Sequence, residues 1–326
     1  MSERMPSGSS DPPLIELRSA TRLYGNVLGV NDINLSLAQG AWGLLGPNGA
    51  GKSTLLNLLT GQLLPTRGTV RVFGQNPRNN PAVMKRIGYC PGFEGLYSSI
   101  SGLGWVAFLL QMHGVARQAA FSRAEECMNI AGMADGMHRA IATYSRGMRQ
   151  RTKIAQAIAH DPELLILDEP LSGLDPVGRA EMTSVLRQHV TTGGSLILAS
   201  HVLHEIEAVT DSFLLISGGR LLASGTAEEV HELLFDLPVE VQIRCDQPDQ
   251  LSGLIMQHGL ADSIRMGRSQ TGRPLLHVAT RQTAEFSSRL PEWVREHQLR
   301  IDEISTADDS LQTLFNSLMK IHRGEL

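Results

Sequence analysis

Glycines and a lysine in the stretch GPNGAGKS, residues 46–53, are spaced to hold phosphate. The stretch matches the pattern GxxxxGK[ST], known as the P-loop. Its glycines let successive backbone N–H groups point into one concave nest, which binds phosphate oxygens. The residues of the predicted nest are Gly46, Pro47, Asn48, Gly49, Ala50 and Gly51.

Polar side chains at the end of this stretch have separate predicted roles. Lys52 reaches the β- and γ-phosphates of a nucleotide, Ser53 offers a hydroxyl to Mg²⁺, and Thr54 can bond near the α-phosphate. A glycine-rich turn without any ligand is the alternative. The stretch lies between a predicted strand, AWGLLGP, and a predicted helix, and this position favours the phosphate site.

Adjacent carboxylates end the apolar run LLILDEP, residues 164–170. Such a run is typical of a buried strand. Asp168 at the strand's end could hold Mg²⁺ through a water, and Glu169 could position or deprotonate the attacking water. A strand that ends in solvated acids is the alternative, and the P-loop upstream favours the catalytic interpretation.

Three further residues could complete a nucleotide site. His201 ends the apolar run SLILASH, where an imidazole could reach a γ-phosphate. Tyr24 precedes the P-loop by about twenty residues and could form a platform under adenine. Asp175 closes the turn SGLD, which follows Glu169 almost at once. Each residue also has a plain structural explanation. The prediction of a nucleotide site therefore rests on the order of all three along one chain.

A basic stretch, YSRGMRQRTK at residues 144–153, has three possible uses. It could grip nucleic acid, form a solvated helix face, or supply half of a nucleotide site. Ser145 is a plausible helix N-cap, and Gly147 allows close backbone approach. A helix N-terminus attracts phosphate through its free N–H groups and its dipole. Arg149 and Lys153 are expected to lie on a solvated face.

Strands that alternate with helices must hold these residues together, which predicts an α/β class. An antiparallel β layer opens the chain with LIELRSATRLY and NDINLSLAQG, and helical periodicity extends from about residue 99 to 161. FLLISGGRLLASG predicts a hairpin around Gly218 and Gly219. We therefore expect a P-loop core with a β layer and a helical subdomain over residues 14–237.

A second pattern starts at residue 238 and contains no catalytic cluster. Its order β-α-β-β-α-β fits a ferredoxin-like unit, followed by one more helix, SLQTLFNSLMKIH. We predict a small α+β accessory domain over residues 238–326. At the other end, residues 1–13 are rich in Ser, Pro and Gly and predict a disordered leader.

Composition restricts the classes of function. The net charge is −4, so a general attraction to nucleic acid is not supported. The three cysteines are widely spaced and indicate neither a zinc site nor a disulfide framework, so buried thiols in a cytosolic protein are expected. The apolar run WVAFLL is far shorter than the ~20 residues of a membrane span. Any membrane association should need a partner.

The order of these motifs resembles the ATPase subunit of ABC transporters over residues 14–234. In that family the basic stretch would be the signature motif, commonly LSGGQ, whose helix faces the γ-phosphate held by the other subunit. Arg146 and Met148 depart from that motif. The matching positions are Ser145, Gly147, Gln150 and Arg151. The resemblance implies two ATP molecules with Mg²⁺ sandwiched in a head-to-tail homodimer or pseudo-symmetric dimer.

This variant of the motif resembles the exporter-type branch, whose ATPases pair with separately encoded membrane subunits and often carry a C-terminal extension. The resemblance implies an ATPase that is cytoplasmic and peripheral to the inner face of the membrane through a polytopic permease. Hydrolysis would depend on Glu169 and His201, and no nucleic acid would be bound.

Two alternatives stand beside this interpretation. A soluble ATPase of the same type could act on ribosomes or DNA repair complexes, but the chain has one nucleotide cassette and no long coiled-coil insert. A nucleotide-gated regulatory module would be expected to lack Glu169 or His201, and both are present.

One position departs from the family's pattern next to the expected metal site. After a strand such as IGYCP the family usually has Gln, which contacts the region of Mg²⁺ and the attacking water and links it to the membrane subunit. Gly92 stands there in this chain and has no side chain for either task. Glu94 could supply an oxygen ligand, because carboxylates suit Mg²⁺. Water at that position and a solvated Glu94 are the alternative.

Overall fold

A computed structural model describes residues 13–93, 95–226, 229, 239–268 and 274–306. These residues fall into two compact units, one within Met1–Ala227 and the other within Glu228–Leu326. Among the described residues, no helix has the length and apolarity required to cross a membrane.

The first unit contains nine strands and seven α-helices among its described residues. Its strands are β1 (Ile15–Tyr24), β2 (Val27–Leu37), β3 (Ala41–Leu45), β4 (Arg67–Val72), β5 (Ile87–Cys90), β6 (Leu164–Asp168), β7 (Ser195–Ser200), β8 (Ser212–Ser217) and β9 (Arg220–Thr226). Its helices are α1 (Lys52–Leu59), α2 (Pro81–Met84), α3 (Gly102–Met112), α4 (Arg117–Ile130), α5 (Arg146–Ile158), α6 (Pro176–Thr191) and α7 (Leu203–Glu207).

A six-stranded sheet with the order β5-β6-β7-β3-β8-β9 forms the centre of this unit. Its pairs are parallel from β5 to β8, and β8 and β9 form an antiparallel hairpin, as the sequence predicts. Strands β6 and β7 are buried along their whole length, which explains their continuous apolar composition. Because the parallel strands end at one edge, the segments after β3, β5, β6 and β7 converge there.

The predicted antiparallel layer is a three-stranded sheet with the order β2-β1-β4. Helix α1 supplies buried leucines to a core that also contains residues of this layer and of the central sheet, among them Ile15, Ile33 and Ile166. Strand β1 of this layer ends at Tyr24, whose side chain is partly exposed.

Helices α3, α4 and α5 occupy the predicted helical region. Ser101 caps α3 by accepting a hydrogen bond from the backbone N–H of Gly104. Helix α5 contacts α3, α4 and strand β5, so it connects the helical region to the edge of the central sheet. The short helix α2 and a 3₁₀ turn at Ile141–Thr143 were not predicted.

The second unit has its own hydrophobic core and an antiparallel four-stranded sheet with the order β11-β12-β10-β13. Its strands are β10 (Val239–Cys245), β11 (Ser263–Arg268), β12 (Pro274–Thr280) and β13 (Ile301–Thr306). Its helices are α8 (Pro248–Gln257) and α9 (Thr283–Glu296), and Pro291 lies inside α9. The predicted last helix and the predicted leader lie outside the described residues.

All three cysteines are free and buried, as the composition predicts. Burial raises the pKa of Cys90 to about 12 and that of Cys127 to about 11, because the thiolate form is disfavoured away from water. Burial also raises the pKa of Cys245. These thiols are therefore in their neutral form at physiological pH.

Candidate active site

The P-loop joins the end of β3 to the start of α1. Gly51 precedes α1 with a φ of 107°, in the left-handed region that favours glycine. A Cβ atom at Gly51 would lie 2.5 Å from the carbonyl oxygen of Gly29, and one at Gly46 would lie 2.4 Å from that of Ile216. Close backbone contact therefore requires glycine at both positions, and the left-handed backbone conformation also requires it at Gly51.

Lys52 is buried at the base of this loop. Its Nζ donates hydrogen bonds to the carbonyl oxygens of Gly46 at 2.6 Å and Pro47 at 3.3 Å. The same atom lies 3.4 Å from Oε1 of Glu169. The P-loop lysine is thus held by its own loop and by the carboxylate that follows β6.

Ser53 and Asp168 meet where the P-loop and β6 end side by side. Ser53 Oγ donates to Asp168 Oδ2 over 2.6 Å. Burial raises the pKa of Asp168, and the hydrogen bond from Ser53 and the charges of Lys52 and Lys153 oppose that shift. A hydroxyl and a carboxylate oxygen are hard ligands of the kind Mg²⁺ prefers, so this pair fits the predicted metal site.

Glu169 leaves β6 with a φ of 51°, an uncommon conformation for a residue other than glycine. Its backbone N–H bonds to the carbonyl oxygen of Ala199 on β7 at 2.9 Å. Its side-chain oxygens Oε1 and Oε2 lie 3.0 and 2.9 Å from Nδ1 of His201. The ends of β6 and β7 therefore bring the predicted base and the predicted histidine into direct contact.

A cavity of about 610 Å³ opens beside these residues. It is lined by the P-loop, by Asp168 and Glu169, and by Tyr24 and Leu28. Tyr24 Oη lies 3.4 Å from Oγ1 of Thr54, and the residue is 42% exposed. The volume is within the ~300–1,000 Å³ typical of small-molecule sites, and the lining combines an aromatic side chain with the phosphate loop.

The basic stretch at residues 144–153 contains the start of α5. Ser145 is the N-cap, and its Oγ accepts a hydrogen bond from the backbone N–H of Met148 at 3.2 Å. Arg146 Nη2 donates to Ser172 Oγ at 2.9 Å, which links this stretch to the SGLD turn. Asp175 caps α6 by accepting from the backbone N–H of Gly178 at 3.0 Å.

The predicted site residues therefore form two groups. One group surrounds or adjoins the cavity: the residues of the P-loop, those at the ends of β6 and β7, and Tyr24. Ser145, Gly147 and Asp175 do not line it. Ser145 and Asp175 are exposed at the surface of the unit.

The expectation of a solvated face was wrong for Lys153. This lysine is 4% exposed, and its Nζ donates to the carbonyl oxygens of Pro91 at 2.8 Å and Phe93 at 3.4 Å. The reason is that α5 packs against β5 on the face that carries Lys153. Gln150 is also buried on α5, and its Nε2 donates to the carbonyl oxygen of Pro170 at 2.8 Å. Helical spacing places Gln150, Lys153, Ile154 and Ala157 on one face, but two of the four are polar, so the pattern does not predict that this face is buried.

Gly92 lines the cavity and lies against Asp168. A Cβ atom there would be 2.9 Å from Asp168 Oδ2, which leaves no room for a side chain in this arrangement. Glu94, the candidate replacement ligand, lies outside the described residues.

Comparison with known proteins yields one family and several relatives. The family model described as ABC transporter matches residues 30–172. The bacitracin transport ATP-binding protein BcrA of Enterococcus faecalis is 37% identical over 222 residues, which cover 67% of this chain and 71% of the relative. The daunorubicin/doxorubicin resistance ATP-binding protein DrrA of Streptomyces peucetius is 30% identical over 306 residues, covering 93% and 92%.

A solved structure has the same fold as the first unit. The dimeric structure of MJ0796, a bacterial ABC transporter cassette, aligns with a TM-score of 0.61 at 22% identity and covers 65% of this chain and 98% of its own.

Proposed function

This chain belongs to the ATP-binding subunits of ABC transporters, and from that premise we propose how its residues bind and hydrolyse ATP. The subunit is an ATPase of the exporter type, related to BcrA and DrrA.

The observation that supports the proposed site most directly is the contact network of Lys52, Glu169 and His201 beside the cavity. The P-loop N–H groups bind the phosphates, and Lys52 exchanges its carbonyl contacts for the β- and γ-phosphate oxygens. This exchange releases Glu169 from the lysine. Glu169 then accepts a proton from the attacking water, whose oxygen bonds to the γ-phosphorus as the bond to ADP breaks. His201 orients the carboxylate.

Ser53 and Asp168 would hold Mg²⁺, the first through its hydroxyl and the second through a water. The ion supplies charge neutralisation for the phosphates when it is bound. The 2.6 Å contact between these two side chains supports the assignment, because both oxygens already point to one place. Tyr24 would stack under the adenine ring and Thr54 would bond near the α-phosphate.

Cassettes of this family dimerise, as the MJ0796 structure records for that protein. We assign Ser145, Gly147 and Asp175 to the ATP held by a second subunit, in a homodimer or a pseudo-symmetric dimer. The exposure of Ser145 and its absence from the cavity lining support this assignment. A helix N-terminus there offers N–H groups and a favourable dipole to a γ-phosphate.

A polytopic permease is the proposed membrane partner, and the subunit would lie in the cytoplasm at the inner face of the membrane. The described residues after position 238 would form an accessory domain that regulates the subunit or stabilises its dimer. The chain order β-α-β-β-α-β and the sheet order β11-β12-β10-β13 support a ferredoxin-like topology for it.

Glu169→Gln tests the proposed chemistry. The substitution keeps the size of the side chain and removes the base, so turnover should fall by at least ~10²-fold while ATP binding is kept. ATP should then trap the dimer, which light scattering after size-exclusion chromatography measures. Glu207→Gln, an exposed glutamate on α7, is the matched control. Turnover of Glu169→Gln at the wild-type rate would rule out the proposed base.

A further inference from the structure

Lys153 is a buried cation whose role the chemistry above does not include. Only 4% of it is exposed, in the middle of α5. Burying an ammonium group costs several kcal/mol unless good hydrogen bonds compensate. Its Nζ donates to the carbonyl oxygens of Pro91 and Phe93, at 2.8 and 3.4 Å. The cation is therefore fixed to the backbone of the loop that follows β5.

The two carbonyls that Lys153 binds stand on either side of Gly92. Gly92 is in turn pressed against Asp168, because a Cβ atom there would lie 2.9 Å from Oδ2 and 3.1 Å from Cγ of that residue. Its φ is outside the left-handed region, so space and not backbone conformation requires glycine here. The loop thus forms one wall of the position that the Asp168 carboxylate occupies.

Ser53 Oγ donates to the same oxygen, Oδ2 of Asp168, at 2.6 Å. The start of α1 and the loop at Gly92 therefore both limit where this oxygen can lie. Loosening the loop would allow the Asp168 carboxylate to turn away from Ser53. Residues that fix the orientation of a metal ligand commonly affect the affinity for the metal.

We propose that Lys153 is a positioning residue of the metal–nucleotide site, which clamps the loop around Gly92 so that Asp168 stays aligned with Ser53. The inference rests on the proposed function, because it takes Ser53 and Asp168 as the pair that holds the metal. Lys153 itself touches neither nucleotide nor metal.

Mn²⁺ binding to the ADP-loaded full chain, followed by electron paramagnetic resonance, tests the clamp without relying on turnover. Lys153→Met removes the donors and keeps the length of the side chain. We expect its Mn²⁺ affinity to fall by about tenfold or more, as for other residues that orient a metal ligand. Its affinity for ADP in the presence of EDTA should stay within about twofold, because the P-loop N–H groups and Lys52 are unchanged.

Lys85→Met is the matched control, since Lys85 is an exposed lysine next to α2 and its loss should leave Mn²⁺ affinity unchanged. Lys153→Arg, which keeps a cation and its donors, should recover most of the affinity. A purely structural role would lower the melting temperature of Lys153→Met but leave Mn²⁺ affinity at the wild-type value. That result would overturn the proposal.

Two further variants decide the matter if Lys153→Met does not fold. Lys153→Gln replaces the ammonium group by a neutral amide on a shorter side chain, and Gly92→Ala introduces the Cβ that would strike Asp168. Both should weaken Mn²⁺ binding, and wild-type affinity in either variant would overturn the clamp. Failure of the wild-type chain to hydrolyse ATP would instead contradict the proposed function, and the Mn²⁺ comparison would still be measurable.

Discussion

The charged side chains of the candidate site contact one another. Lys52 bonds to its own loop and to Glu169, and Glu169 also contacts His201. Asp168 takes the hydroxyl of Ser53. In the proposed mechanism a nucleotide replaces these contacts, and each of these residues exchanges a partner within the protein for a phosphate, metal or water partner.

Lys52→Ala should abolish hydrolysis and weaken ATP binding. A hydrogen bond to a charged group is worth about 1.5–3 kcal/mol, which corresponds to a loss of roughly ten- to hundredfold in affinity. Titration calorimetry with ATP measures the change, and Lys85→Ala serves as the exposed control. Equal affinity and turnover in Lys52→Ala and wild type would contradict the P-loop assignment.

Asp168→Asn should stabilise the nucleotide-free protein while abolishing Mg²⁺-dependent hydrolysis. Burial raises the pKa of Asp168, so the folded state binds a proton more readily than the unfolded state. The carboxylate therefore costs stability as pH rises through the interval between its unfolded and folded pKa values, and this cost persists at pH 7. Asparagine removes it, which should raise Tm by a few degrees, with about 1 kcal/mol corresponding to ~2–4 °C in a domain of this size.

Thermal melts over a series of pH values from 7 downward measure this effect. The advantage of Asp168→Asn should shrink as the pH falls through the raised folded-state pKa of Asp168, because the wild-type carboxylate takes up a proton there. Asp211→Asn, at an exposed position, provides the control. A lower Tm for Asp168→Asn at pH 7 would show that the bonds to the charged form outweigh the cost of burial.

Helix α5 joins two parts of the site that differ in exposure. Its N-terminus presents the exposed Ser145, while Gln150 and Lys153 are buried and bond to the backbone beside Glu169 and Gly92. Since an α-helix rises ~1.5 Å per residue, Ser145 and Lys153 are only ~12 Å apart along the helix axis. A displacement of the N-terminus of α5 at Ser145 would therefore be transmitted along this helix to the loop after β5.

Ser145→Ala should slow hydrolysis without weakening the first binding of ATP. It removes the N-cap oxygen that accepts from Met148, at a cost of about 1 kcal/mol, and leaves the cavity lining unchanged. Steady-state turnover and the ATP affinity of the monomer measure the two effects separately. Ser145→Thr retains the oxygen and should stay close to wild type. Turnover of Ser145→Ala at the wild-type rate would count against its role in the dimer.

At the scale of the whole molecule, each of the two units has its own hydrophobic core. Every described residue assigned to the nucleotide belongs to the first unit. The second unit has a four-stranded antiparallel sheet covered by amphipathic helices, and no residue of it is required by the proposed chemistry.

A chain that ends after Leu237 should therefore keep Lys52-dependent ATP binding, with an affinity within about twofold of the full chain. Calorimetry on the shortened chain and on its Lys52→Ala form measures this. Regulation of turnover or dimer stability should change instead. Complete loss of nucleotide binding in a shortened chain that is folded would refute the separation.

Features that depend on a few neighbouring residues could be determined from the sequence alone. The P-loop, the strand that carries Asp168, the Ser145 cap and the β8–β9 hairpin all follow from local spacing, because glycines, caps and apolar periods act within one element. The tertiary structure alone decided that Lys153 is buried and that Gly92 presses on Asp168. Whether a basic residue on a helix is solvated or buried depends on the strand that covers that face, and β5 is some sixty residues away in the chain.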